Sequence, residues 1–251
     1  MCTVTWSARP DGYDLFMNRD ELFSRGEALP PRRHEWDGGS FVAPVDSDAG
    51  GTWIAANDYG LTVCLLNYYP PGVGRLEGAF SSRGELVMEL ATCGTALEVS
   101  ARLRETEMSA YRPFTLFAMG GAAGDESVPR RFRWEGGGLL KTDDAPPPPL
   151  TSSSYDSQAV IGARTTTYSV VVGDRPSPEL LAVYHRSHLP ERGPYSVCTH
   201  REDGGSRSLT HVCVTRTAVR MTYQPGPPCE GRSTTREEIA RRSAPGYHPG
   251  A

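Results

Sequence analysis

An α+β fold built on antiparallel sheets is predicted by three features of this chain. Candidate strands and helices come in blocks (strands, helices, strands, helix, strands) instead of alternating, which favours antiparallel over parallel pairing. Neither a GxGxxG nor a GxxxxGK[ST] phosphate loop occurs, so a doubly wound nucleotide-binding sheet lacks its signature. The 251 residues are enough for one substantial core, and a sheet-rich single domain of that size is ordinary.

The elements follow in order. Residues 3–8 (TVTWSA) and 13–18 (YDLFMN) mix apolar and polar positions around Arg9-Pro10-Asp11-Gly12. Pro presets the first turning position, Asp suits the second, and Gly accepts the left-handed backbone that closes a hairpin loop. With a three-residue loop, Cys2 faces Asp20. With a two-residue loop, it faces Arg19. Either register brings the first thiol of the chain beside an Arg-Asp pair. A second hairpin is predicted for 52–56 (TWIAA) and 61–67 (LTVCLLN), joined by Asn57-Asp58-Tyr59-Gly60. Residues 82–105 read as helix in two pieces, capped by Ser82 and Thr95 and separated at Gly94. Strands are expected at 114–119 and 131–135. Residues 142–154 (TDDAPPPPLTSSS) are too rich in Pro and Ser for regular structure and read as a loop. Ser177 caps a further helix with Pro178 at its first position. Strands at 196–201, 208–214 and 218–223 then complete one domain, set at 1–229. Residues 230–251 read as a polar, flexible tail beyond a docked segment near Cys229.

Charge and composition exclude several functions. The net charge is -4, and Lys141 is the only lysine, so no basic field recruits nucleic acid or an anionic membrane. No 18-residue apolar run is available to span a bilayer. The N-terminus lacks the basic and apolar regions of a secretory signal. Six cysteines, at 2, 64, 93, 198, 213 and 229, are scattered and read as reduced thiols, so a cytoplasmic protein is expected.

Cys2 is the candidate reactive group. An initiator Met before so small a residue is normally trimmed, which frees an α-amine of pKa about 7.7–8.0 beside a thiol of about 8.5. One residue then carries both nucleophile and base. Arg19 is expected to favour the thiolate by charge, and Asp20 to hold the amine. The bland reading makes Cys2 a small buried residue on an edge strand.

MCTVTW at the start, NRDE at 18–21 and GGTW at 50–53 occur in that order. Together they resemble the NRDE family, the Transport and Golgi organization protein 2 family, over Met1 to about Cys229. That family is similar in turn to N-terminal-nucleophile hydrolases of the choloylglycine hydrolase and penicillin V acylase group. The resemblance implies a four-layer αββα sandwich with Cys2 as nucleophile and Arg19 and Asp20 in contact with it. It also implies Asn67 as an oxyanion donor, worth roughly 3–4 kcal/mol in such a role. Asn18, Tyr68, Tyr69, Ser153 and Arg201 are the substrate-binding candidates, with Arg207 an alternative to Arg201. Where those hydrolases carry a mid-chain Asn, this chain has Thr151-Ser152-Ser153-Ser154.

The expected function is N-terminal cysteine hydrolysis of a non-peptide linear amide or acyl compound with an apolar acyl part. The alternative is a non-enzymatic carrier of lipid, acyl-CoA or haem on the same fold. A redox role has no C-x-x-C motif behind it. No cofactor and no metal are expected. A zinc site would form if Cys198 paired with Cys213 and His200 with His211, but neighbouring strand residues rarely converge tetrahedrally. Asp46 and Asp48 read as a solvated turn.

Overall fold

The structure, a computed structural model, describes residues 2–70, 78–121, 128–138 and 140–242. Thirteen strands and four α-helices alternate in blocks among the described residues. The first block comprises β1 (Cys2–Arg9), β2 (Gly12–Leu22), β3 (Leu29–Trp36), β4 (Gly39–Val45), β5 (Ile54–Asn57) and β6 (Leu61–Asn67). Helices α1 (Arg83–Leu90) and α2 (Ala96–Glu105) follow, then β7 (Phe114–Gly120), β8 (Arg130–Trp134), β9 (Lys141–Asp144) and β10 (Leu150–Ser152). Next come α3 (Ser157–Val171) and α4 (Pro178–Arg186), before β11 (Gly204–Val214), β12 (Ala218–Pro225) and β13 (Thr235–Ala240).

Two antiparallel sheets result. The first has the order β10-β1-β2-β11-β12-β13, the second β3-β4-β5-β6-β7-β8-β9. Period-two alternation sorts the side chains of the first hairpin. Val4, Trp6, Tyr13, Leu15 and Met17 face the second sheet, where they meet Val42, Trp53, Ile54, Leu66 and Phe117. Phe16, on the opposite face, packs with Tyr168 and Val172 of α3 and its neighbourhood and with Leu181 and Tyr184 of α4. Leu86, Val87, Leu90, Val99 and Leu103 of α1 and α2 cover the outer face of the second sheet against Phe114, Leu116 and Phe132. The layers are therefore α3/α4, sheet, sheet, α1/α2. This is the αββα sandwich.

Both expected hairpins, the two capped helices and the helix begun by Ser177-Pro178 are present; Ser82, Thr95 and Ser177 each accept a backbone N–H three residues on. Other expectations need correction. Residues 196–201 are a bent loop, not a strand, with a single β-bridge from His200 to Gly205. The expected loop at 142–154 contributes to β9 and β10. Thr235–Ala240, within the expected flexible tail, pairs with β12 along its length. Strands β3 and β4 and helix α3 have no counterpart in the predicted elements. Residues 243–251 of the expected tail lie outside the described residues.

Candidate active site

The first hairpin takes the two-residue loop. Arg9 pairs with Gly12 and Cys2 with Arg19. Gly12 is needed there because a Cβ would lie 1.9 Å from the Val214 carbonyl oxygen of the next strand. Cys2 is not on an edge: β10 pairs on its other side, with Ser152 directly opposite. That register decides which groups share its face. Arg19 does; Asn18 and Asp20 project toward the helices.

Cys2, Arg19, Asp20 and Asn67 line one cavity of about 580 Å³ between the sheets, walled also by Trp53, Phe80, Arg83 and Arg112. The Cys2 side of the cavity is tightly packed, the residue being only 7% exposed. Burial pushes the Cys2 thiol up, Asp20 adding to the effect and Arg19 opposing it. The expectation that Arg19 holds this thiol low is thereby corrected: desolvation outweighs one guanidinium. That guanidinium has other partners as well. It lies 4.6 Å above the Trp53 ring and donates to Asp46 Oδ2 at 2.8 Å.

Asp46 is therefore part of the site and not a solvated turn. Its Oδ1 accepts from Arg25 at 2.6 Å and from the backbone N–H groups of Asp48 and Ala49. Burial alone would raise its pKa, but the Arg25 hydrogen bond and the charges of Arg19 and Arg25 win and lower it. No feature of PVDSDAGG distinguishes this aspartate from a surface one.

The Cys2 backbone nitrogen donates to Ser152 Oγ at 3.2 Å. After removal of Met1 that nitrogen is the α-amine, so Ser152 is the hydroxyl placed to orient it. Met1 itself lies outside the described residues. Ser153, one residue on, turns the other way: its hydroxyl donates to the Tyr155 carbonyl at 2.6 Å and accepts the Tyr155 N–H at 3.0 Å.

The remaining candidates divide by location. Asn67 closes β6 at the cavity, with its Nδ2 donating to the Tyr69 hydroxyl at 3.2 Å. Tyr68 is covered by the Arg133 guanidinium, and neither tyrosine is among the cavity walls. Asn18 is fully buried on the helix side, where Nδ2 donates to the His185 and Val197 carbonyls at 2.9 and 3.0 Å. Arg201 pairs with Asp203 and lies over Tyr155, away from the cavity. Arg207 sits at a bulge in β11 beside Phe23 and Glu27, also away from it.

Asp20 borders the cavity, but its carboxylate points into a buried polar network. It accepts from Ser206 Oγ at 2.6 Å and Thr199 Oγ1 at 3.0 Å, and meets Arg164 Nη1 at 3.3 Å. Arg164 also donates to Thr3, Thr151 and Thr199. Its guanidinium thus joins β1, β2, β10 and the loop before β11 directly beneath Cys2. Sequence reading missed Arg164 because it lies in α3, and the one available signal was an arginine within the otherwise uncharged run SQAVIGARTTTYSVV.

On the far wall, Arg83 donates to the Pro113 carbonyl at 2.8 Å, and Arg112 lies over Phe80. Burial pulls the Arg83 pKa below its usual value. Neither arginine pairs with a carboxylate among the described residues. The same wall contains the N-terminus of α1.

The model of the family described as Transport and Golgi organisation 2 matches residues 1–128. The chain belongs to this family. All the described cavity walls lie within the part that matches the Transport and Golgi organisation 2 model, whereas Ser152 and Arg164 lie beyond it. No curated protein matches the chain. Among solved structures it is similar to conjugated bile acid hydrolase from Clostridium perfringens. A cysteine-to-alanine mutant of that enzyme gives a TM-score of 0.51 at 9% identity, covering 100% of both chains. An arginine-to-leucine variant gives 0.52 at 9% identity, covering 98% of this chain and 99% of the other. At such identity the likeness establishes the fold, that of the N-terminal-nucleophile hydrolases. No helix among the described residues is long and apolar enough to cross a membrane.

Proposed function

We propose that this chain is an N-terminal cysteine hydrolase of a linear, non-peptide amide that carries an anionic group. The observation that supports it most is the placement of Cys2 in a walled cavity with its nitrogen on Ser152 Oγ and Asn67 across the same space.

Once Met1 is removed, the free α-amine takes the Cys2 thiol proton as sulfur attacks the substrate carbonyl. Burial raises the thiol pKa, so the proton has to leave during attack, which is general-base catalysis by a group on the same residue. Ser152 aims the amine. The Asn67 amide, turned from Tyr69 toward the substrate, and a backbone N–H hold the oxyanion. The C–N bond breaks as the ammonium returns its proton to the leaving nitrogen. Water then attacks the thioester, releasing the acid and restoring the thiol. Trp53 and Phe80 suit an apolar part of the substrate. Arg83 and Arg112, with no carboxylate partner among the described residues, suit its anion.

Intact mass of the natively expressed chain, together with turnover of a panel of N-acyl amino acids, tests this reading. Met1 is expected to be absent and Cys2→Ala to abolish turnover. Retention of Met1, or full turnover by Cys2→Ala, would overturn it. Binding without turnover, unchanged in Cys2→Ala, would favour the carrier reading instead.

A further inference from the structure

The loop between α4 and β11 returns past the sheet and presents Cys198 and His200 on one side, with Thr199 facing Asp20 on the other. His188 follows α4 closely, and Cys229 lies in the short 3₁₀ turn after β12. One donor atom from each of these four residues lies within 4.8 Å of all the others. His200 Nε2 is 3.1 Å from His188 Nε2, 3.5 Å from Cys198 Sγ and 3.6 Å from Cys229 Sγ. A single ring nitrogen offers one N–H or one lone pair, so it cannot make three directed hydrogen bonds. A shared cation satisfies all four donors at once. Metal–N bonds of about 2.0–2.1 Å and metal–S bonds of about 2.3 Å give tetrahedral edges of about 3.3–3.8 Å. The three spacings from His200 Nε2 are within a few tenths of an ångström of that range.

The sequence-based expectation grouped Cys198 and His200 with His211 and Cys213. The structure separates the two pairs. His211 contacts Asp14 at 2.8 Å and stacks on Phe16, and Cys213 meets Arg9. The missing partners come from elsewhere in the chain, which is why strand alternation could not reveal them.

We propose that His188, Cys198, His200 and Cys229 bind one Zn(II) ion as a closed structural centre. Two thiolates and two imidazoles suit this borderline-soft cation, whereas Mg(II) and Ca(II) prefer oxygen. Binding displaces the two thiol protons to solvent, and the thiolates neutralise the dication. With Nε2 of His200 on the metal, its proton moves to Nδ1, so the exposed Arg192, now 3.2 Å from that atom, turns away to solvent. Four protein ligands leave no position open for substrate. The centre ties three chain segments together and holds the backbone on both sides of Thr199, which donates to Asp20.

The test uses the full chain without a polyhistidine tag, purified in thiol reductant and without chelator. Metal content by inductively coupled plasma mass spectrometry is expected to give one zinc per chain. Cobalt(II) is expected to give tetrahedral ligand-field bands and a thiolate charge-transfer band. Cys229→Ser, at an exposed position, and His188→Gln should each lose the metal and the cobalt spectrum while keeping native circular dichroism. Chelator should lower the melting temperature of the unaltered chain but not that of Cys229→Ser. Zinc well below stoichiometry after equimolar addition, zinc retained by the variants, or a Cys198–Cys229 disulfide in reductant would each overturn the proposal. None of these readouts depends on turnover, so the result stands apart from the hydrolase reading.

Discussion

Arg164 and Asp20 are both fully buried, and the pair meets at 3.3 Å with the Thr3, Thr199 and Ser206 hydroxyls among its other hydrogen-bond partners. Taking two charges out of water is costly, and a pair like this offsets the cost only while both partners remain. Arg164→Met should therefore destabilise the protein by about 3–5 kcal/mol by removing the guanidinium that balances the buried carboxylate. Combining it with Asp20→Asn should cost less than the two single changes summed, because neither charge is then stranded. Urea unfolding of the four proteins measures this coupling, and strict additivity would show that the two side chains act independently. Cys2 illustrates a different balance at the same scale. Its desolvation exceeds the help from Arg19, which is why the proposed reaction relies on the neighbouring amine and not on a resting thiolate.

The joint between α4 and the first sheet is made by His185. Asn18 donates its amide to two carbonyls, so its Oδ1 accepts from His185 Nδ1–H, and Nε2 accepts from the Thr5 hydroxyl at 2.8 Å. The ring is neutral. Burial first, then the charges of Arg164 and Arg186, push its pKa down to about 3 from 6.5. The unfolded chain takes up this proton near pH 6.5 and the folded chain only near 3. The stabilisation is therefore complete at neutral pH, drains away as pH falls from 6.5 toward 3, and is gone below that. Urea midpoints from pH 7 to 4.5 should fall less steeply for His185→Gln than for the unaltered chain, although that variant is weaker at pH 7. Parallel slopes would assign the acid sensitivity to other groups.

Legibility followed sheet position for most elements, the interior strand β4 being the exception. The two hairpins and the capped helices announced themselves through turn residues, caps and apolar spacing. The four edge strands β3, β9, β10 and β13 did not. LPPRRHEW, KTDD and TREEIA are polar because edges face water, and prolines are tolerated where no ladder bond is needed. Helix α3 escaped because Ser, Thr, Val and Gly are weak helix formers and its cap, Asp156, takes a left-handed backbone. At the site, MCTVTW and NRDE located Cys2 and Arg19. Which of Arg19 and Asp20 shares the face of Cys2 depended on one residue of loop length. Arg164, Asp46 and Ser152 depended on long-range packing, which no local pattern encodes.

For the whole molecule, the C-terminal strand joins the two sheets. Ile239 is buried in the core between them, Arg241 donates to the Gly121 carbonyl at 3.0 Å, and Arg242 bonds Asp58 by backbone and side chain. A chain ending at Gly231 should therefore melt well below the full-length chain, and Ile239→Ala alone should cost about 2–5 kcal/mol. Thermal unfolding of both checks this; an unchanged melting temperature on truncation would make β13 dispensable.

The chamber and its foundation come from different stretches of the polypeptide. Every described wall lies between Cys2 and Arg112, while Ser152, Arg164, Thr199 and Ser206 support it from later in the chain. The selectivity of the proposed hydrolase is thus open to re-tailoring by a mutational library confined to one contiguous gene segment, with the buttress left untouched.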